Sequence, residues 1–396
     1  MDMKANPGGQ IDLKEIVGRE VIIEQIWDTL DQQSIRMNAE RRIGKTTIIK
    51  KLCDDPRPGW VPIFQDLEQY HTAVEFAASV FRAVETHLSS VNKTARSTRR
   101  LLESLGGAEI AGVFKLPDFT QEKPWKEIIS TAIQDIVENC EKTSKRPLFL
   151  WDEVPFMLDN IKNREGEAVA MEVLDTLRAL RQTYGARGLR MVITGSIGLH
   201  HVINSLKHKG YANSPLNDAL SVQVSALDAK SAQELASKLI QGEGIQTTAL
   251  PKTAVAIAKI SDGFPFYIHH IVKSMKQTGQ LGTMELVDQI VLQQLLSADD
   301  PWELNHYRDR ISVYYSKEYE RAVLGILDGI AARSSAISQN ELLAELKAAG
   351  LLDDRELLIE LLRLIEQDHY LTRNSEGHYS FQFPLLQRWW KLSRGL

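Results

Sequence analysis

Two cysteines in 396 residues, Cys53 and Cys140, are too few and too far apart for a disulfide framework or a thiolate metal site. Each is expected as a small buried hydrophobe. No basic excess exists either: 47 Lys and Arg face 52 Asp and Glu, a net charge of −5. That balance excludes a whole-chain field drawing in nucleic acid or anionic membrane, and leaves only local patches to do so. No apolar run approaches the roughly 18 residues of a bilayer span, and the opening "MDMKANPGGQIDLKE" lacks the apolar core of a signal peptide. The expectation by default is a cytoplasmic location with no membrane partner. Repeats and low-complexity tracts are missing as well. What remains, 43% apolar and 25% charged residues, suits a globular chain of two or three domains.

Val21, Ile22, Ile26 and Leu30 recur at helical spacing after the turn-forming Gly18, which predicts an amphipathic helix. A short strand-like segment at 34–38 leads into "AERRIGKTT", and "TTIIKKLCDD" behind it reads as a helix closed by Pro56 and Pro58. Strand-like "WVPIFQDL", a helix from His71 to about Ser90 and a basic stretch, "NKTARSTRR", follow; "GGAEIAGVFKLPDF" has the glycines and alternation of a hairpin. After a helix around Trp125 to Lys142, "PLFLWDEV" and "LRMVITGS" read as buried parallel strands flanking a helix at Ala168 to Tyr184. Strands alternating with helices imply an α/β fold with a parallel sheet covered on both faces. From Asp228 the strand signals stop. Three helical segments reach about Ala298, and three more helices with a hairpin around Ser375-Glu376-Gly377 describe a winged helix-turn-helix. The predicted domains are a P-loop three-layer α/β/α sandwich at 1–225, a helical lid at 226–298 and a winged helix at 299–396.

A phosphate site needs converging backbone N–H groups at a helix start, a cation for the terminal phosphates and a hydroxyl for magnesium. Gly44, Lys45 and Thr46 supply these in order, within Ala39, Glu40, Arg41, Arg42, Ile43 and Thr47. Such a loop wants glycine where Ala39 stands; if that position requires a positive φ, alanine costs about 1 kcal/mol there. The loss is far smaller than losing Lys45 or Thr46, so a binding site is expected. The chemistry also asks for a carboxylate at the end of a neighbouring buried strand to hold the metal and another to polarise water. "LFLWDEV" offers Asp152 and Glu153 in those roles. "MVITGS" offers Thr194 and Ser196 to reach the γ-phosphate or its water, although either residue alone could merely open the turn at Gly195.

"IVGRE", "AERRIGKTT", "LFLWDEV", "ITGS" and "DGFPFYI", in this order before a winged helix, resemble the AAA+ superfamily, most of all its archaeal-type ATPase and STAND branch related to origin-recognition ATPases. The resemblance implies ATP and Mg2+ as cofactors, with hydrolysis to ADP and phosphate. It places Val17, Gly18 and Arg19 near adenine and ribose, and Pro265 across the base. After Pro265 the lid shows no hallmark arginine, only Lys273 and Lys276. An arginine finger would come from a neighbouring copy, with Arg181, Arg187 and Arg190 as candidates; surface solvation is the other reading of each.

The third helix of the winged helix carries Asp353, Asp354, Glu356, Glu360 and Glu366 against Arg355 and Arg363, an acidic face that would repel DNA. DNA is therefore left to surfaces such as "NKTARSTRR" or the tail "LLQRWWKLSRGL". Adjacent Trp389 and Trp390 are expected to anchor that tail, with one of them exposed on its helix. His200-His201 and His269-His270 lack the i, i+4 spacing of helical metal ligands. Three functions stay open: a hydrolysing switch or assembly motor that self-associates, a non-hydrolysing scaffold recruiting a separate effector, and a DNA-loading adaptor.

Overall fold

The computed structural model describes residues 3–9, 11–90, 100, 108–110, 113–115, 125–195, 199–208 and 210–396. Ser196 and all of "NKTARSTRR" but Arg100 lie outside the described residues. The chain divides into two compact units, one of Glu20–Arg41 and Lys45–Val224, the other of Met1–Arg19, Arg42–Gly44 and Ser225–Leu396.

The first unit is built on a parallel five-stranded sheet. Its strands are β1 (Ser34–Ala39), β2 (Trp60–Asp66), β5 (Arg146–Asp152), β6 (Arg190–Thr194) and β7 (Ala219–Val224), in the order β2-β5-β6-β1-β7. Strands β3 (Ala108–Ile110) and β4 (Val113–Lys115) form the small antiparallel hairpin that the glycines predict. In β5 all but the first residue are buried, and in β6 every residue is, which accounts for their unbroken apolar character. Successive side chains take opposite faces. Phe149, Trp151, Met191 and Ile193 join a core with Phe76, Ile129, Ile133, Met157 and Leu177 from the helices Ala73–Ser90, Trp125–Glu141, Val154–Glu165 and Glu167–Tyr184. The helices Glu20–Leu30 and Lys45–Asp54 also lie against strands of the sheet. Trp151 packs edge-on to Phe76 at 5.5 Å, and its indole N–H donates to Gln65 Oε1 at 2.9 Å, so the ring is buried without an orphaned donor.

Two features depart from the sequence reading here. Val21 is 72% exposed, and the buried stripe of its helix is Ile26, Trp27 and Leu30. Strand β7 carries no strong apolar signal because it is an edge strand, paired on one side with β1 and showing solvent four of its six side chains in part or whole.

Among the described residues the second unit is helical apart from one hairpin and isolated bridges of Thr247 with Gly282 and Ile337 with Tyr379. The helices Ala229–Gly242, Leu250–Ile260, Pro265–Thr278 and Met284–Leu295 come first, then Asn305–Tyr314. The helices Lys317–Ala331, Gln339–Ala348 and Arg355–Gln367 lead into β8 (Leu371–Arg373) and β9 (Tyr379–Phe381), and Pro384–Arg394 ends the order. Five of these helices start on side-chain caps that the sequence supplies: Asp228, Thr283, Ser316, Ser338 in a capping box with Glu341, and Asp354. The two tryptophans correct an expectation, since Trp389 is 5% and Trp390 0% exposed. Their helix is covered on two sides. Trp390 sits 6.3 Å from both Tyr370 and Phe381, its N–H donates to Asp328 Oδ1 at 2.8 Å, and Trp389 meets it edge-on at 5.9 Å. Among the described residues no helix is long and apolar enough to cross a membrane.

Candidate functional site

Ala39 ends β1, 2% exposed and paired in register with Val224. It is not among the residues of positive φ; in the loop those are Arg42 at 66° and Gly44 at 100°. The cost foreseen for alanine at position 39 therefore does not arise, and the glycine that the backbone requires is Gly44. The helix Lys45–Asp54 starts directly after it, leaving the first N–H groups of that helix without intrahelical partners. Lys45 is 6% exposed, and its ammonium donates to the Ala39 carbonyl at 3.2 Å. Glu40 is buried, its Oε1 accepting from the Arg41 backbone N–H at 2.7 Å; Thr47 is half-buried.

Asp152 closes β5 with 3% exposure. Its Oδ2 accepts from the Thr46 hydroxyl at 2.8 Å and its Oδ1 from the Glu153 N–H at 3.1 Å. Glu153 follows with a left-handed backbone, φ 55° and ψ 35°, as the residue preceding the helix Val154–Glu165. A non-glycine residue there costs about 1 kcal/mol, and such strain collects where surroundings over-determine it. Strand β6 lies between β1 and β5: Met37 pairs with Thr194, and Trp151 with Ile193. Thr194 is 1% exposed, and its hydroxyl has no hydrogen-bond partner among the described residues. Gly195 packs so closely on Pro155 that any Cβ would collide with the proline ring, which fixes the end of β6 beside the segment carrying Glu153. The structure thus joins Thr46 to Asp152, with Lys45 and Glu153 next to them in sequence, and ends β6 at Thr194 in the same unit.

The residues expected around adenine belong to the other unit. Val17 is buried, Gly18 abuts Ser231 and the Leu227 side chain, and the Leu227 N–H donates to the Gly263 carbonyl at 3.0 Å, two residues before Pro265. Leu227 therefore joins the two flanks of the expected base site. Arg19 donates to the carbonyls of Ser225 and Ile43, each at 2.7 Å. Burial brings its guanidinium down to about 10, against the opposing pull of Asp228, so it remains charged at neutral pH. Arg42 pairs with Glu303 and lies 4.5 Å from the centre of the Phe266 ring. Phe266 lies within "DGFPFYI", where the resemblance gives it no role, and no motif announced Glu303.

The three arginine-finger candidates are engaged within the chain. Arg181 is buried and forks onto Asp218, Arg187 forks onto Glu141, and Arg190 donates to the carbonyls of Leu30, Gly185 and Leu189. Surface solvation does not hold for Arg181 and Arg190, at 4% and 9% exposure.

No protein-family model matches the chain, and no curated protein matches it. Solved structures do. The Walker-type ATPase PABY2304 of Pyrococcus abyssi is similar with a TM-score of 0.65 at 14% identity, over 96% of this chain and 97% of that one. The Aeropyrum pernix ORC2 protein, solved as ADPNP–ADP complexes, is similar with a TM-score of 0.53 at 12% identity, over 98% and 96%. The chain shares the fold of these two structures. Within this fold Ala39 ends β1 and Asp152 ends β5, the two strands on either side of β6.

Proposed function

We propose that the protein binds ATP with magnesium and hydrolyses it, using the cycle as a nucleotide-dependent switch or assembly motor. One observation carries the reading: the Thr46 hydroxyl meets the Asp152 carboxylate at 2.8 Å, directly after the buried ammonium of Lys45. Magnesium prefers such oxygen donors, and Thr46 and Asp152 would hold it, where it would neutralise phosphate charge. The orphaned Thr194 hydroxyl supports a polar ligand at the end of β6, since a buried hydroxyl without a partner is otherwise costly.

The chain's own groups divide the work. Gly44 lets backbone N–H groups approach the phosphates, and Lys45 exchanges the Ala39 carbonyl for a phosphate oxygen. Glu153 accepts a proton from the attacking water, and Thr194, with Ser196, orients that water or the γ-phosphate. Val17, Gly18, Arg19 and Pro265 hold the base, the stretch 226–298 acts as the lid, and 299–396 forms a winged helix. Partners are ATP and either further copies of this chain or an effector protein. DNA would meet a surface other than the helix Arg355–Gln367, whose Asp354 is spent on capping it.

Calorimetry with ATP and magnesium, paired with phosphate-release kinetics, tests the reading. Wild type should take up ATP and release phosphate, Lys45→Ala should lose uptake, and Glu153→Gln should keep uptake while turnover falls about 100-fold or more. Absence of uptake by the wild type, or full turnover by Glu153→Gln, would overturn it. Light-scattering mass that rises with ATP in the wild type but not in Lys45→Ala would support assembly.

A further inference from the structure

Arg42, in the middle of the phosphate loop, is left-handed at φ 66°. Such a conformation persists where side-chain contacts hold it. Two do so, the ion pair with Glu303 and the Phe266 ring at 4.5 Å. The other end of the pair is equally built. Glu303 is left-handed at φ 54° and donates its N–H to the Asp300 carbonyl at 2.9 Å. Asp300 accepts the N–H groups of Leu304 and Asn305, both at 2.8 Å, and the neighbouring Trp302 is fully buried with its ring 5.0 Å from Tyr267. A rigid turn between the helices Met284–Leu295 and Asn305–Tyr314 thus presents a carboxylate to the loop arginine.

We propose that Glu303 is an internal stand-in for phosphate: it holds Arg42 while the loop is empty, and the terminal phosphates of a nucleoside triphosphate take Arg42 from it. The inference rests on the nucleotide reading above and names how that site is regulated. Chemistry favours the exchange. A guanidinium donates to a phosphate through the same fork it offers a carboxylate, and phosphate carries more charge. The Arg42 and Glu303 side chains are 26% and 39% exposed, so solvent screens their pair enough for an incoming polyanion to displace it. His270, against the Phe266 ring at 4.4 Å, is kept neutral at physiological pH by burial and then by Arg42, so it adds no competing cation. Displacement ends the link between Arg42 and the Glu303 turn, and the helices on either side of that turn then register whether the loop is filled.

The experiment is a fluorescent-ATP titration with magnesium on wild type, Glu303→Gln, Arg42→Ala and the double variant, with thermal melting to confirm folding. Glu303→Gln should bind about threefold to tenfold more tightly than wild type. Arg42→Ala should bind more weakly, and in the Arg42→Ala background the Glu303 substitution should have no effect. Equal or weaker binding by Glu303→Gln while the wild type binds normally would overturn the stand-in role and leave the nucleotide reading intact. Failure of every variant to bind would overturn both.

Discussion

Thr46 and Asp152, 106 residues apart, share a hydrogen bond of 2.8 Å. They meet although β6 lies between β1 and β5, the strands that precede Thr46 and end at Asp152. On the proposed function, this hydrogen bond would keep two hard oxygen donors together for magnesium.

Ala39→Gly would restore the glycine common in loops of this kind, yet no gain in affinity is expected. Position 39 is in a strand, 2% exposed and outside the left-handed region, so glycine there adds only backbone freedom to the unfolded chain. Stability should fall by about 0.5–1 kcal/mol and nucleotide affinity should stay within about twofold. Urea denaturation and nucleotide titration measure both; a tenfold tighter complex would mean that the loop rearranges at Ala39 on binding.

Gly195→Ala should cost about 1–3 kcal/mol, because its methyl is driven into the Pro155 ring. Turnover should drop as well, since Pro155 lies two residues from Glu153. Pro155→Ala added to Gly195→Ala should recover part of the stability by making room, a non-additivity that denaturation of the single and double variants reads directly.

Asp262 is pushed up from 3.8 to about 6 by burial, despite the N–H that Leu385 donates to it at 2.7 Å. The folded state therefore holds more protons than the unfolded state between those values, and this residue's contribution to stability falls as pH rises through that window. Asp262→Asn keeps the acceptor, tolerates the left-handed φ of 49° and removes the buried charge. It should raise stability by about 1–3 kcal/mol at pH 7.5 and confer little at pH 4, as melts at the two values would record.

His269 works in the opposite sense. Burial, then His270, holds its pKa down at about 4, and its Nδ1 accepts the Asn6 N–H at 3.1 Å, which a proton on that nitrogen would forbid. Its stabilising contribution is complete above the ordinary value of 6.5 and is lost as pH falls towards 4. His269→Gln should flatten the acid loss by about 2–3 kcal/mol relative to wild type in melts from pH 7.5 to 4.5. An unchanged slope would place the titration elsewhere.

The loop, the acid-ending strand, the hydroxyl-ending strand and the later helices were legible because each carries its own pattern: glycine before lysine, unbroken apolar runs, or a helical period. Elements defined by their neighbours were not. Strand β7 is set by pairing with β1, and Ser221 and Gln223 on an open edge give no apolar cue. Trp389 escaped because burial on two sides of a helix depends on what surrounds it, which one helix's period cannot reveal. Glu303 had no pattern at all: an acid 261 residues from its arginine reads as one more solvated charge.

Strand β6 is hydrogen-bonded along both edges, to β5 and to β1. Inserting or deleting one residue within Arg190–Thr194 would have to slip two ladders together and would turn the terminal threonine to the opposite side of the sheet. Length variation in relatives of this chain should therefore be confined to the connections around β6, with the strand itself kept at constant length.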